Sequence, residues 1–166
     1  MESFILGSDH AGYRLKEKIA AYLREKGFSV EDIGCPSEAS VDYPAISALL
    51  AQKMQSQQTG GTVRGLLCCG SGIGVCISAN RFSWIRAVEA HDHNTVMLSR
   101  RHNDSNVLCL GGRVIAPELA FELIETWMKT PFEGGRHQKR VDMMTALNVE
   151  NQGASAAEHP KESRVC

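Results

Sequence analysis

The stretch that most constrains the fold is Arg64 to Arg81, R-G-L-L-C-C-G-S-G-I-G-V-C-I-S-A-N-R, where a short apolar run ends in a cysteine and meets three spaced glycines. Gly65 to Cys69 reads as a buried strand, Gly70, Gly72 and Gly74 as a tight turn, and Ile73 to Arg81 as the helix that follows. A strand, a glycine turn and a helix start together present backbone N–H groups and the positive end of a helix dipole to whatever sits at the turn. The predicted result is an anion cradle, with Cys69 at its edge, where the same field stabilises a thiolate.

The flanking sequence repeats this unit. Ser3 to Gly7 is a short apolar strand, followed by the polar loop Ser8-Asp9-His10-Ala11-Gly12. From Tyr13 to Lys26, Leu15, Ile19 and Leu23 recur at helical spacing, and Gly27 supplies the stop. Phe28 to Ile33 gives a second strand and Cys35 to Val41 a loop. Asp42-Tyr43-Pro44 opens a helix whose predicted buried stripe is Ile46, Leu49, Leu50 and Met54, and Gln55 to Thr62 is a polar connection. Beyond the central unit, Ile85 to Ala90 is a strand ended by His91-Asp92-His93, and Asp92 can cap a helix running to about Arg101. Val107 to Leu110 is a fifth strand, and Pro117 opens an amphipathic helix carrying Leu119, Ala120, Leu123, Ile124 and Trp127.

Alternating strands and helices with short connections predict an α/β fold: a parallel sheet covered on both faces, with ligands bound beyond the C-terminal strand ends. That rule sends Asp9-His10, Cys69-Gly70-Ser71, His91-Asp92 and Arg113 to one sheet edge. Gly134-Gly135 opens a last helical stretch to about Val149, with Arg136 and Arg140 four apart on one face, a spacing that suits a phosphate. Residues 1–150 are thus expected to form one domain. Asn151 to Cys166, polar and without periodicity, reads as a disordered tail.

Several function classes drop away. A net charge of −1 leaves no electrostatic footprint for nucleic acid or an anionic membrane, and there is no run of about 18 apolar residues. The start, M-E-S-F-I-L-G-S-D-H, lacks the basic-then-apolar pattern of a leader, so the cytoplasm is the expected location. Cysteines 35, 68, 69, 76, 109 and 166 include no C-x-x-C pair, which fits reduced thiols rather than zinc or disulfides. Cys68, Cys76 and Cys109 lie in apolar runs and are expected in the core. His91 and His93 lack further ligands at metal spacing, so no metal site is expected. A dinucleotide site is the weaker reading of the glycine loop: Val75 stands where G-x-G-x-x-G needs its third glycine, although Glu89 lies at the distance of a ribose ligand. A phosphatase loop would be closed by an arginine, and none lies between Gly70 and Asn80.

Taken together, G-S-D-H-A-G, V-D-Y-P, C-G-S-G-I-G with I-S-A-N, S-R-R-H-N-D-S-N-V-L and E-G-G-R-H-Q-K-R-V resemble the type B ribose-5-phosphate isomerase family, which includes galactose-6-phosphate isomerase subunits. The likeness spans roughly Phe4 to Leu147 in five ordered motifs. It implies a three-layer Rossmann-like α/β/α sandwich with five parallel strands, a C-terminal helix reaching a dimer partner, and cofactor-free aldose–ketose interconversion. The implied assembly is a homodimer with sites at the subunit interface, a tetramer remaining open. By resemblance, Cys69 is the base moving a proton between C1 and C2, Ser71 and the Gly70–Gly72–Gly74 turn hold the enediolate, and His102 opens the furanose. Asp9 and Asn103 orient hydroxyls, Tyr43 lines the sugar pocket, and His10, Arg113, Arg136 and Arg140 hold phosphate. Relatives lacking the cysteine use a glutamate just after the glycine loop, where this chain has Val75. The implied substrates are ribose 5-phosphate and ribulose 5-phosphate of the pentose phosphate pathway. The alternatives are galactose or allose 6-phosphate, or a nucleotide-binding module without catalysis.

Overall fold

The computed structural model describes residues 2–57 and 62–154. Strands β1 (Ser3–Ser8), β2 (Ser29–Asp32), β3 (Val63–Cys69), β4 (Ala87–Glu89) and β5 (Val107–Gly111) alternate with helices α1 (Tyr13–Glu25), α2 (Tyr43–Ser56), α3 (Ile73–Ala79), α4 (His93–Asn103) and α5 (Pro117–Lys129), and α6 (Arg136–Ala154) follows. All pairings are parallel, in the order β2-β1-β3-β5-β4. Crossovers of one hand that step in opposite directions along a sheet must lie on opposite faces. Accordingly α1, α4 and α5 cover one face and α2 and α3 the other.

The strands are buried on both sides, and their side chains divide with period two. Phe4, Leu6, Leu66, Cys68, Leu108 and Leu110 meet Ile19 and Leu23 of α1, Val96 of α4, and Leu123 and Trp127 of α5. Ile5, Leu67, Cys69, Val107 and Cys109 meet Leu50 and Met54 of α2, and Val75 and Ala79 of α3. Leu49 departs from the predicted stripe and is exposed on α2. Strand β4 is also shorter than Ile85 to Ala90. The Ile85 N–H turns back to bond Phe82 and the Arg86 N–H is taken by the Asn106 side chain, so only the Arg86 carbonyl, which accepts the Asn106 and Val107 N–H groups, reaches across to β5. Asn80 covers the outer edge of β4, donating to the Ala87 carbonyl and accepting its N–H.

Two helices set where functional groups end up. Asp92 caps α4 by accepting the Thr95 N–H at 2.8 Å, as the sequence predicts. From there α4 runs antiparallel to the strands for 11 residues, about 16 Å, to the opposite sheet edge. Its C-terminus is fastened there. Asp104, in the left-handed region at φ 47°, binds Arg86 at 2.7 Å and Arg100 at 2.8 Å. The indole of Trp127 donates to Ser105 at 2.7 Å, and the Glu133 N–H bonds the Arg101 carbonyl. Helix α6 starts at this same edge and continues to Ala154, beyond the Val149 limit and into the first residues read as tail; the rest of that tail and residues 58–61 of the polar connection lie outside the described residues. No described helix is long and apolar enough to cross a membrane.

Candidate active site

The chain reverses its direction of travel between β1 and β3: α1 leaves β1 toward β2 on one face, while α3 leaves β3 toward β4 on the other. Parallel sheets bind ligands in the crevice at such a point. Here the two loops touch, since a Cβ at Gly12 would lie 2.3 Å from the Cys68 carbonyl carbon. Asp9, nearly buried, accepts the N–H groups of Ala11 and Gly12 at 2.9 and 3.0 Å, which fixes the β1 loop. His10 accepts the Val41 N–H at 3.4 Å through Nδ1.

Cys69 ends β3 only 4% exposed, and its Sγ accepts the Gly72 N–H at 3.1 Å. Gly72 has φ +82°, and a Cβ there would meet backbone atoms of Leu110 and Gly111 at 3.1 and 3.2 Å. Only glycine supplies both the conformation and the room. Helix α3 is short, 7 residues, so the polarity at Cys69 comes from the nearest N–H groups more than from a long dipole. Ser71 accepts the Ile73 N–H at 3.3 Å through Oγ. Tyr43, at the start of α2, lays its ring against the loop, 2.8 Å from where a Gly74 Cβ would stand. Arg113 closes the other side: its N–H donates to Gly70, and its guanidinium lies 3.6 Å from the Cβ position of that glycine. Asp9, His10, Tyr43, Cys69, Gly70, Ser71, Gly72, Gly74 and Arg113 thus gather at the C-terminal edge.

The remaining cysteines differ from Cys69. Burial pushes the Cys68 thiol well up, and burial does the same to Cys109. Cys76 is half-buried and moves down, because the Cys109 thiol and the Glu89 N–H both donate to it. The five described cysteines are unpaired thiols. His91 and Asp92 do reach the C-terminal edge, but Asp92 is occupied as the cap of α4 and His91 faces Glu89 at 3.6 Å.

His102, Asn103, Arg136 and Arg140 are elsewhere. The last turn of α4 and the first turns of α6 hold them at the opposite edge, a helix length from Cys69 in the same chain. There the His102 and His137 rings stack at 4.3 Å with planes 6° apart. Glu133 Oε2 lies 4.0 Å from His102 Nε2 and 3.8 Å from His137 Nε2. Burial pulls His137 down, and His102, Arg136 and Arg140 pull it further. Glu133 and His137 carried no role in the sequence reading, although both fall inside E-G-G-R-H-Q-K-R-V. Their donor atoms and that of His102 fall within 4.8 Å of one another. Parallel rings nevertheless keep their in-plane lone pairs from converging on one cation, and Arg136 Nε approaches His137 Nε2 at 3.3 Å. The arrangement fits proton handling and anion binding better than a metal.

A cavity of about 440 Å³ lies beside this second group, bounded by Arg86, Ser99, Asn103, Met144 and Leu147. Ile73 and Ile77 on α3, and Met143 and Leu147 on α6, are more than half exposed.

A doubly wound, all-parallel α/β/α sheet with a thiol, a glycine loop and a carboxylate at its switch point defines a Rossmann-like fold with a candidate site at the C-terminal strand ends. Comparison with known proteins narrows that class. The profile of the ribose/galactose isomerase family matches residues 4–144, and the chain belongs to that family and is an isomerase. It is 42% identical over 147 residues to ribose-5-phosphate isomerase B of Escherichia coli K12, covering 89% of this chain and 97% of that one. It is 40% identical over 143 residues to D-erythrulose-4-phosphate isomerase of Pectobacterium atrosepticum, covering 86% and 92%. Among solved structures, ribose-5-phosphate isomerase B of Clostridium thermocellum superposes with a TM-score of 0.85 at 38% identity, covering 91% of this chain and 99% of that one.

Proposed function

We propose that the protein interconverts ribose 5-phosphate and ribulose 5-phosphate in the cytoplasm, as a step of the pentose phosphate pathway, with Cys69 as the base. The observation that carries this reading is the Cys69 sulfur at the switch point, nearly buried and holding the Gly72 N–H at 3.1 Å. The thiolate takes the proton from C2 of the open-chain aldose, and the electrons pass into an enediolate. Ser71 and the N–H groups of the Gly70–Gly74 turn meet the oxyanion charge as it develops, where such donors accelerate most. The thiol returns the proton to C1, and a proton moves from O2 to O1 to complete the ketose. Neither step changes the redox state of the enzyme or needs a cofactor.

The working unit in this reading is a homodimer. Cys69 and Arg113 at one edge need His102, Arg136 and Arg140 from the other, and a two-fold apposition of two chains supplies each half twice. His102 then opens the furanose, Asn103 and Asp9 orient hydroxyls, Tyr43 lines the sugar, and Arg136 and Arg140 join His10 and Arg113 on the phosphate. Substrate identity is tested with a panel of ribose 5-phosphate, erythrulose 4-phosphate, and galactose and allose 6-phosphates. The highest kcat/KM on a tetrose or hexose phosphate would overturn the pentose assignment. Shared sites are tested by mixing Cys69→Ala and His102→Asn homodimers, each nearly inactive. Random exchange makes about half the dimers mixed, each with one intact site of two, so about a quarter of wild-type activity returns. No recovery after verified exchange puts both residues in one chain.

A further inference from the structure

We infer that Glu133 and His137 are positioning residues for His102, Glu133 keeping the proton on it and His137 holding its ring, in the ring-opening step. The inference rests on the reading above that His102 opens the furanose. Ring opening is a proton exchange with the sugar's oxygens, so the donor needs a fixed ring and a proton available near neutral pH. His102 lies on the last turn of α4, over a third of its side chain exposed, where an unsupported imidazole samples several rotamers. The stacked His137 ring, 4.3 Å away and 6° from parallel, removes that freedom. His137 is itself buried to 5%, and its immobility is transmitted to its neighbour.

The charges around the pair set its two histidines apart. Arg101 on α4, and Arg136 and Arg140 on α6, surround it with positive charge suited to a phosphate but adverse to imidazolium. Glu133, on the loop before α6, offsets that charge. One of its oxygens lies 3.6 Å from Arg101 Nε, and the other faces both histidine Nε2 atoms. The two histidines then divide. His137 is held neutral by burial and its cationic neighbours, and its Nε2 lone pair takes the Arg136 N–H at 3.3 Å. With the His137 Nε2 occupied by Arg136, Glu133 Oε2 at 4.0 Å serves the more exposed His102, the histidine that substrate can reach.

An exposed ion pair adds little to folding, so Glu133→Gln separates the proton role from stability. Two reactions separate ring opening from enolisation. Ribose 5-phosphate is a furanose and must be opened. Ribulose 5-phosphate, whose C5 hydroxyl is esterified, is open-chain and exchanges its C1 hydrogen with solvent deuterium through Cys69 alone. Glu133→Gln is expected to lose tenfold or more in kcat on ribose 5-phosphate, with deuterium entry into ribulose 5-phosphate within about twofold of wild type. The midpoint of its ribose 5-phosphate pH profile moves downward, Glu133→Asp restores part of the rate, and His137→Ala lowers kcat without moving that midpoint as far. An unchanged rate on ribose 5-phosphate, or an equal loss in both reactions, overturns the inference. His102→Asn run beside them guards the premise: full ribose 5-phosphate isomerisation by that variant would refute the ring-opening role itself, a result separate from any behaviour of Glu133.

Discussion

Gly72→Ala tests the loop on which the chemistry depends. The substitution leaves Cys69 in place and alters only the residue that offers it an N–H. At φ +82° an alanine costs about 1–2 kcal/mol in backbone strain. Its Cβ would also stand 3.0 Å from Glu89 Cγ, 3.1 Å from the Leu110 carbonyl carbon and 3.2 Å from the Gly111 nitrogen. Glu89 can swing aside, but β5 backbone cannot without loosening its pairing with β3. The loop shifts instead, for a total near 2–3 kcal/mol. In a chain of this size 1 kcal/mol moves Tm by about 2–4 °C, so a fall of about 4–12 °C is expected. The shift carries the Gly72 N–H away from the sulfur, and losing a hydrogen bond of about 1.5–3 kcal/mol to the thiolate lowers kcat by about 10–100-fold. Gly70→Ala is the stability control, because its Cβ would find Ala11 and Arg113 at ordinary contact distances of 3.5 and 3.6 Å. Thermal unfolding and ribose 5-phosphate turnover measure both effects. A Gly72→Ala protein with wild-type Tm and kcat would show that neither the left-handed turn nor its N–H matters.

Cys69→Ala is expected to abolish isomerisation while calorimetry still detects sugar phosphate binding, whereas Cys68→Ala, which empties a buried site in the core, lowers Tm more than kcat. Truncating Arg113, Arg136 or Arg140 to Ala weakens binding of phosphorylated ligand by about 1.5–3 kcal/mol each and leaves unphosphorylated ribose unaffected, as titration with inorganic phosphate would measure. Residues 155–166 contain valine as their only large aliphatic residue, so a chain ended after Ala154 is expected to keep its Tm and its activity.

Strands β1, β3 and β5 were legible because each is a short apolar run closed by a turn signal, and helices α2, α4 and α5 because each opens on a proline or an aspartate cap. The C-terminal half of the site followed from the same pattern, since residues after parallel strands must share an edge. Two things were not visible. Leu49 satisfies a helical stripe by spacing, but α2 packs on the sheet through Leu50 and Met54 and leaves Leu49 outward, a choice made by helix rotation that spacing alone does not determine. The His102–Glu133–His137 group joins residues 35 positions apart through the docking of α6 on α4, and no local period encodes that contact. His137 also reads as one more polar residue in a basic helix start. Its burial appears only once α4 is laid beside it.

The division of the site between two edges follows from one feature of parallel α/β folds. A helix after a strand must return antiparallel to begin the next strand, so residues at its N-terminus join the binding edge and those at its C-terminus leave it. Asp92 and His102 sit at the two ends of α4, and the fold separates them by the helix's length. No adjustment of loops within one chain can bring His102 back to Cys69 while α4 still connects β4 to β5. A chain of this family that uses both residues on one sugar must therefore borrow one of them. The exposed apolar residues fall where that borrowing needs them, Ile73 and Ile77 beside the glycine loop and Met143 and Leu147 just beyond Arg140. In the homodimer proposed above, a two-fold axis would repeat in reverse any contact of α3 on one subunit with α6 of its partner, so one interface would complete both sites or neither. Loss of the dimer on dilution should then remove activity in proportion to dimer concentration, with Cys69 still chemically intact in every monomer.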